Sequence, residues 1–352
     1  MPDEPEDTIV EGRRPPGIPR PLRRGLLAAV VAAAVAVPVT GAPSQARDVQ
    51  TPAPPALPAM AADTLDARYR LTRQAAEDAA VAAERADDTD RAAALRALAA
   101  PGRHFLSFDG RGRGRAVEVV GDDLATASTI TVLVPGADTT VRHFDSHGST
   151  WAAPGGGARA LARQLRADDP GGRHAVVAWL GYDTPETISG AVITPGRARE
   201  GARGLLAFLT GLRAAAPHAR LTLLCHSYGS VVCGSAGPGL DAAHVADVAL
   251  YGSPGSGATT AAGLDTAARI WAGRASGDGI ARVPHVSLRL PLDITLGLGT
   301  DPVSGAFGAH RFAAGSGGHG DYLRPGGTAL RNLALIALGR TADVTATGGD
   351  RA

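Results

Sequence analysis

The sequence contains no lysine, so all 35 of its Lys-plus-Arg residues are arginines. This absence excludes a P-loop lysine, a lysine Schiff base and a Ser–Lys catalytic dyad. Cysteine is also scarce, and 2 residues cannot build a disulfide framework or a cysteine-type zinc finger. Aromatic residues make up 4% of the chain, which leaves no stacking platform for bases or glycans. Because the net charge is only +1, no nucleic-acid partner is expected.

The first 46 residues have the pattern of an export signal. Basic Arg23 and Arg24 precede an apolar run that ends at Val39, and Ser44-Gln45-Ala46 is a small-x-small cleavage site. The run is shorter than the roughly 20 residues of a membrane span. Paired arginines before apolar residues also resemble a twin-arginine signal. We therefore expect a secreted or cell-envelope protein. The alternative is an uncleaved anchor that associates with the membrane.

Composition divides the rest of the chain into further segments. Residues 47–60 are a Pro/Ala linker, and residues 61–100 are predicted to be helical with a break near residues 87–90. Residues 101–340 are the predicted catalytic domain, and residues 341–352 a disordered tail.

Within the predicted domain, apolar runs typical of strands alternate with helical patterns. The predicted strands are residues 104–108, 115–120, 129–134, 174–179, 221–225, 247–251, 268–272 and 310–314, with helices near 158–165, 195–216, from 228 onward and near 322–338. This order favours an α/β fold with a mostly parallel sheet of about eight strands and helices on both faces, preceded by the N-terminal helical segment. Catalytic groups in such a sheet lie at the carboxyl ends of its strands.

The strongest local feature is Cys225-His226-Ser227-Tyr228-Gly229, which follows an apolar run and precedes a predicted helix. A serine at such a strand-to-helix turn, flanked by small residues, is typical of a nucleophile elbow with the pattern G-x-S-x-G. Here Cys225 stands in place of the first glycine. Ser227 is therefore the candidate nucleophile.

A serine nucleophile needs a base, and in elbow enzymes the base follows it in the order Ser, Asp or Glu, His. The histidines after the serine are His244, His285, His310 and His319. His319 lies in a glycine-rich segment between the last predicted strand and the last predicted helix, which is where this order places the base. The other three lie before or at the start of predicted strands.

Asp278 is the favoured acid, because it follows the predicted strand 268–272. Asp293 and Asp301 are the alternatives, and a loop aspartate is often only a turn former or a helix cap. Asp321 is interpreted as the N-cap of the last helix.

The predicted oxyanion hole uses two backbone N–H groups. One belongs to Tyr228, the residue after the nucleophile, and the other comes from the loop after the strand 129–134, from either Ala137 or Asp138.

Two further groups of residues bear on chemistry other than that of the serine. Cys225 and Cys233 flank the elbow, and a disulfide between them would suit an exported protein. Their positions on a strand and the following helix nevertheless favour two separate small buried side chains, because a disulfide needs close Cα atoms. Residues 143–147, His-Phe-Asp-Ser-His, hold three potential metal ligands. No second cluster completes a site, so no metal or cofactor is expected.

Four motifs in chain order resemble the α/β-hydrolase superfamily and, within it, an uncharacterised, mainly actinobacterial family. The family pattern is V-P-G, G-H-S-Y-G-S, G-S-P-G and H-x-D-Y. It corresponds here to Val134-Pro135-Gly136, Cys225-His226-Ser227-Tyr228-Gly229-Ser230, Gly252-Ser253-Pro254-Gly255 and His319-Gly320-Asp321-Tyr322. The resemblance implies Ser227 as nucleophile, His319 as base and Asp278 as acid.

On this basis we expect an exported serine hydrolase, similar to carboxylesterases or lipases. It would cleave an ester or related acyl bond of a small-molecule or lipid-like substrate. The alternatives are an acyltransferase with the same triad and a non-catalytic, hydrolase-like envelope protein, since a fold alone does not establish an activity.

Overall fold

The computed structural model describes residues 51–187, 196–283, 288–290, 294–296 and 298–347. The predicted export signal lies outside these residues. Among the helices that the structure describes, none combines the length and the apolar character needed to cross a membrane.

The strands of the described residues form one large sheet and a separate hairpin. They are β1 (His104–Asp109), β2 (Arg115–Gly121), β3 (Thr129–Val134), β4 (His174–Leu180), β5 (Arg220–His226), β6 (Val245–Tyr251), β7 (Arg269–Gly273), β8 (Leu288–Leu290), β9 (Ile294–Leu296) and β10 (His310–Arg311). The sheet has eight strands in the order β1-β2-β4-β3-β5-β6-β7-β10, and β8 pairs with β9. β2 runs antiparallel to both of its neighbours, and every other pair in the sheet is parallel. The predicted fold class is confirmed.

Of the helices that the structure describes, two precede the sheet in sequence, the others lie between or after its strands, and together they cover both of its faces. They are α1 (Leu65–Arg85), α2 (Thr89–Leu98), α3 (Pro154–Asp168), α4 (Gly196–Ala215), α5 (Gly229–Leu240) and α6 (Thr328–Ala337). α1 and α2 form the predicted N-terminal helical segment. Their break falls where it was predicted, and Asp88 caps α2 by accepting a hydrogen bond from the Arg91 N–H.

The central parallel strands are buried along their whole length. Every residue of β3 and of β4 is buried, because helices lie on both faces of the sheet. This explains why their sequences are continuous apolar runs rather than alternating patterns.

Two hydrophobic clusters lie on opposite faces of the sheet. One joins the strands to α4 and α5, and the other joins them to α1, α2, α3 and α6. α1 packs along β1 at the antiparallel edge, where Thr72 Oγ1 donates to the Phe105 carbonyl at 2.8 Å and Arg68 Nε donates to the Leu106 carbonyl at 3.1 Å. The N-terminal helices therefore extend the core at this edge.

The last strand and the last helix are shorter than predicted. β10 ends at Arg311, because Phe312 turns inward, packs on Gly273 and forms a bridge with Ala346. α6 starts at Thr328 with Gly327 as its N-cap. The apolar residues that suggested a longer strand and an earlier helix instead fill the core and the site described next.

Candidate functional site

Ser227 lies in a tight turn between β5 and α5. Its φ of 51° is in the left-handed region, which is uncommon for a non-glycine residue. A Cβ on Gly229 would lie 2.4 Å from the Val134 carbonyl oxygen, so the position after the turn has no room for a side chain. Such a strained turn, with a small residue where the helix meets a strand, is the geometry of a nucleophile elbow.

His319 lies between Ser227 and Asp278 and contacts both. Its Nε2 is 3.0 Å from Ser227 Oγ, and its Nδ1 is 3.0 Å from each carboxylate oxygen of Asp278. Ser227 follows β5, Asp278 follows β7 and His319 follows β10, all at the carboxyl ends of parallel strands. The structure therefore brings together the three residues nominated from the sequence, although 92 residues separate the serine from the histidine.

Asp278 is fully buried and also caps a short helix. Its Oδ1 accepts a hydrogen bond from the Ile280 N–H at 2.8 Å, at the start of the turn Gly279–Arg282. Burial alone would raise the pKa of Asp278, but hydrogen bonds from His319, Tyr322 and Ile280 outweigh it and lower that pKa below its ordinary value. The carboxyl group is therefore ionised at neutral pH and can stabilise a protonated imidazole.

The alternative candidates for the base and the acid have other surroundings or lie outside the described residues. The carboxylate of Asp301 pairs with Arg274 at 2.7 Å. His244 follows α5 in a left-handed conformation, and His310 is the exposed first residue of β10. Asp293 and His285 lie outside the described residues.

The loop that carries one of the predicted oxyanion donors lies against the serine. Gly136 is so close that a Cβ on it would lie 2.7 Å from Ser227 Cβ. Of the two candidates in this loop, Asp138 donates its N–H to the Pro185 carbonyl at 3.0 Å. Ala137 is therefore the candidate donor from the loop, and Tyr228 directly precedes the first turn of α5.

His226, which the sequence reasoning did not single out, holds the backbone of the base. Its Nε2 is 2.9 Å from the His319 carbonyl oxygen, and the two rings lie 4.8 Å apart. A carbonyl oxygen only accepts hydrogen bonds, so Nε2 carries the hydrogen. In the sequence, the only indication of this role is that a histidine directly precedes the nucleophile.

The interpretation of Asp321 as a helix cap is wrong. Its Oδ2 accepts a hydrogen bond from the Gly318 N–H at 2.9 Å, and its Oδ1 accepts one from the Trp151 indole at 3.2 Å. Asp321 therefore ties down the loop that carries His319, and α6 begins seven residues later, at Thr328.

The preference for two separate cysteines is also wrong. Cys225 and Cys233 form a disulfide, with their Cα atoms 6.5 Å apart. The chain reverses direction at Ser227, which brings the end of β5 beside the second turn of α5. The bond therefore brackets the nucleophile.

The carboxylate of the 143–147 segment serves an ion-pair network. Asp145 pairs with Arg103 at 2.6 Å and also with Arg159. Over the ranges that the structure describes, no group of three His, Cys, Asp or Glu side chains has the arrangement of a metal site.

Comparison with known proteins adds a family and several relatives. A family model described as alpha/beta hydrolase matches residues 109–288. The Mycobacterium tuberculosis protein called Uncharacterized protein Rv2079 is 33% identical over 266 residues, which cover 68% of this chain and 39% of that protein. The Mycobacterium bovis protein called Uncharacterized protein Mb0988c is 35% identical over 189 residues, covering 50% of this chain and 69% of that protein.

Among solved structures, one from Xanthomonas campestris is similar to this chain. It is described as a member of a/b serine hydrolase without lid, with 15% identity and a TM-score of 0.39, covering 70% of this chain and 98% of that one. The present chain spans 39% of the length of the first mycobacterial relatives that it matches.

Proposed function

The chain belongs to the alpha/beta hydrolase family, and from this premise we propose that it is a serine hydrolase acting on an ester or related acyl bond. The proposed nucleophile is Ser227, with His319 as general base and Asp278 as the acid that orients it. A hydrolase-type function follows from the family, whereas the nucleophile and the bond cleaved are our proposal.

One observation carries the proposal: the unbroken contact from Ser227 Oγ through the imidazole of His319 to Asp278, each step at 3.0 Å. A serine hydroxyl is a weak nucleophile on its own. A neutral imidazole at this distance can take its proton during attack, and a carboxylate on the other ring nitrogen fixes the tautomer and stabilises the imidazolium.

The reaction would proceed in two balanced halves. Ser227 Oγ bonds to the acyl carbon while its proton passes to His319 Nε2, and the negative charge collects on the former carbonyl oxygen. As the bond to the leaving oxygen breaks, His319 returns the proton to it, and the product alcohol departs. Water then attacks the acyl-enzyme and gives a proton to His319, which passes it to Ser227 Oγ as the carboxylic acid leaves.

The N–H groups of Ala137 and Tyr228 would stabilise the oxyanion of each tetrahedral intermediate. Both come from backbone next to Ser227, one after β3 and one at the start of α5. Loss of one such donor typically slows catalysis about 100-fold or more.

We also propose that the protein acts outside the cytoplasm on a small-molecule or lipid-like acyl substrate. The export pattern of residues 1–46 supports the location. The disulfide between Cys225 and Cys233 supports it as well, because disulfides persist mainly in oxidising compartments.

A fluorophosphonate probe tests the proposed nucleophile. We expect the wild-type protein to be labelled and Ser227→Ala to lose labelling completely, because the probe bonds only to an activated serine. Ser276→Ala is the matched control, since Ser276 is an exposed serine in the loop before Asp278, and its labelling should equal the wild type. Equal labelling of wild type and Ser227→Ala, or labelling of neither, would overturn the proposal.

A further inference from the structure

Tyr322 is a buried tyrosine whose hydroxyl contacts the acid of the triad. The residue is 2% exposed. Its hydroxyl donates a hydrogen bond to Asp278 Oδ2 at 2.6 Å and accepts one from the Ala275 N–H at 3.1 Å. The residue ends the H-x-D-Y motif, and the mechanism above assigns it no role.

We propose, resting on the serine hydrolase function above, that Tyr322 is a positioning residue that holds the Asp278 carboxylate where it receives the Nδ1–H of His319. Tyr322 thereby becomes a fourth side chain that serves the proposed reaction, beside those of Ser227, His319 and Asp278. It does not depend on which acyl substrate the enzyme takes.

Hydrogen bonds from three groups hold the Asp278 carboxylate. Oδ1 accepts from the Ile280 N–H and Oδ2 accepts from the Tyr322 hydroxyl, while His319 Nδ1 is equidistant from both oxygens. The two outer donors stop the carboxylate from rotating about its Cβ–Cγ bond. Without the hydroxyl, Oδ2 would be buried with only a shared hydrogen bond, and an ionised oxygen in that state is costly.

The ring of Tyr322 is itself held in place, so its hydroxyl is aimed by packing. A Cβ on Gly252 would come within 2.9 Å of Tyr322 Cε2, and the Tyr251 ring lies 5.2 Å away. Burial and the nearby Asp278 charge raise the pKa of Tyr322, so the hydroxyl keeps its proton at neutral pH and acts as a donor. Phenylalanine fits the same space, so Tyr322→Phe keeps the packing and removes only the two hydrogen bonds of the hydroxyl, the one to Asp278 and the one from the Ala275 N–H.

The first test compares Tyr322→Phe with Tyr251→Phe. The Tyr251 ring packs on the Tyr322 ring with centroids 5.2 Å apart, so Tyr251→Phe controls for removing a hydroxyl from the same aromatic cluster. With p-nitrophenyl acetate, and active sites counted by fluorophosphonate titration, we expect kcat of Tyr322→Phe to fall about tenfold, the size of one hydrogen bond to a charged group. KM should stay within about twofold, and Tyr251→Phe should match the wild type.

The second test asks whether the hydroxyl acts through Asp278. In the Asp278→Asn background the same Tyr322→Phe change should alter the rate of fluorophosphonate labelling less than about twofold, because interacting residues are not additive. A merely structural tyrosine would lower the rate by the same factor in both backgrounds.

The outcomes separate this inference from the proposed function. A kcat for Tyr322→Phe equal to the wild type, or an undiminished effect beside Asp278→Asn, overturns the role of Tyr322 and leaves the hydrolase standing. Labelling of wild type and Ser227→Ala to the same extent, or of neither protein, overturns both.

Discussion

At the residue scale, two histidines share the site, and only one of them is placed to move a proton. His319 contacts the serine and the acid through its two ring nitrogens, whereas His226 donates to the His319 backbone carbonyl. Burial, followed by the nearby His319, lowers the pKa of His226 to about 3. His226 is therefore neutral at physiological pH and acts as a fixed hydrogen-bond donor.

Because folding lowers the pKa of His226, the free energy of unfolding falls as the pH falls. The unfolded chain binds a proton on His226 below about pH 6.5, while the folded protein does not until about pH 3. The contribution of neutral His226 to the stability is therefore fully present above about pH 6.5 and is lost as the pH falls from there toward about 3. His226→Gln keeps an N–H donor but cannot titrate. It should reduce the slope of unfolding free energy against pH by up to about 1.4 kcal/mol per pH unit.

Urea denaturation at pH 7, 6, 5 and 4 measures that slope. The exposed His218, replaced by glutamine in the same way, controls for loss of an imidazole, and its variant should retain the wild-type slope. Parallel curves for His226→Gln and the wild type would contradict the assignment.

At the element scale, the strand–turn–helix unit from β5 to α5 carries both the strained serine and the disulfide. The two features have the same origin. At Ser227 the chain reverses direction, and this turn also brings Cys225 and Cys233 together. Cys225 occupies the position of the elbow's first glycine and is fully buried. The disulfide thus takes up space that glycine would leave open.

Removing the disulfide should destabilise the protein. For the eight-residue separation, loop-closure entropy predicts a loss of about 2.5 kcal/mol for the double variant Cys225→Ala/Cys233→Ala, measured by chemical denaturation. Dithiothreitol is the internal control, since it should lower the stability of the wild type and leave the double variant unchanged. A double variant as stable as the oxidised wild type would refute the expectation.

At the scale of the whole molecule, a partly buried network of four charges ties the antiparallel edge to α3. Arg103, just before β1, makes two hydrogen bonds at 2.7 Å to Glu118 on β2 and also pairs with Asp145. Arg159 on α3 contacts both carboxylates. The network joins segments that are distant in sequence.

Breaking this network should cost more than breaking a surface pair. The Glu118 side chain is 3% exposed, so Glu118→Gln would leave two guanidinium groups with one carboxylate and should lose about 3 kcal/mol of stability. Glu77→Gln is the matched control, because Glu77 is 48% exposed and pairs with Arg73 at 3.9 Å, and its loss should stay below about 1 kcal/mol. Equal melting curves for the two variants would show that burial does not matter here.

The pattern of apolar residues along the chain predicts most of the strands and helices of the fold. β3, β4 and β5 are continuous apolar runs because they are buried on both faces, and the break between α1 and α2 coincides with a cluster of acidic residues. The apolar periodicity after Arg311 was misleading. Phe312 serves the core and Tyr322 serves the site, and a pattern of apolar residues does not distinguish these uses from a strand or a helix.

The order and identity of the amino acids exclude lysine chemistry, predict a mostly parallel α/β sheet and place Ser227 in an elbow. These properties depend on residue identity and on short-range periodicity. The folded chain is needed to show that Cys225 bonds to Cys233, that Asp321 and His226 hold the His319 loop, and that Tyr322 contacts Asp278. Each of these depends on the distance between side chains brought together by folding. Sequence spacing does not encode such distances.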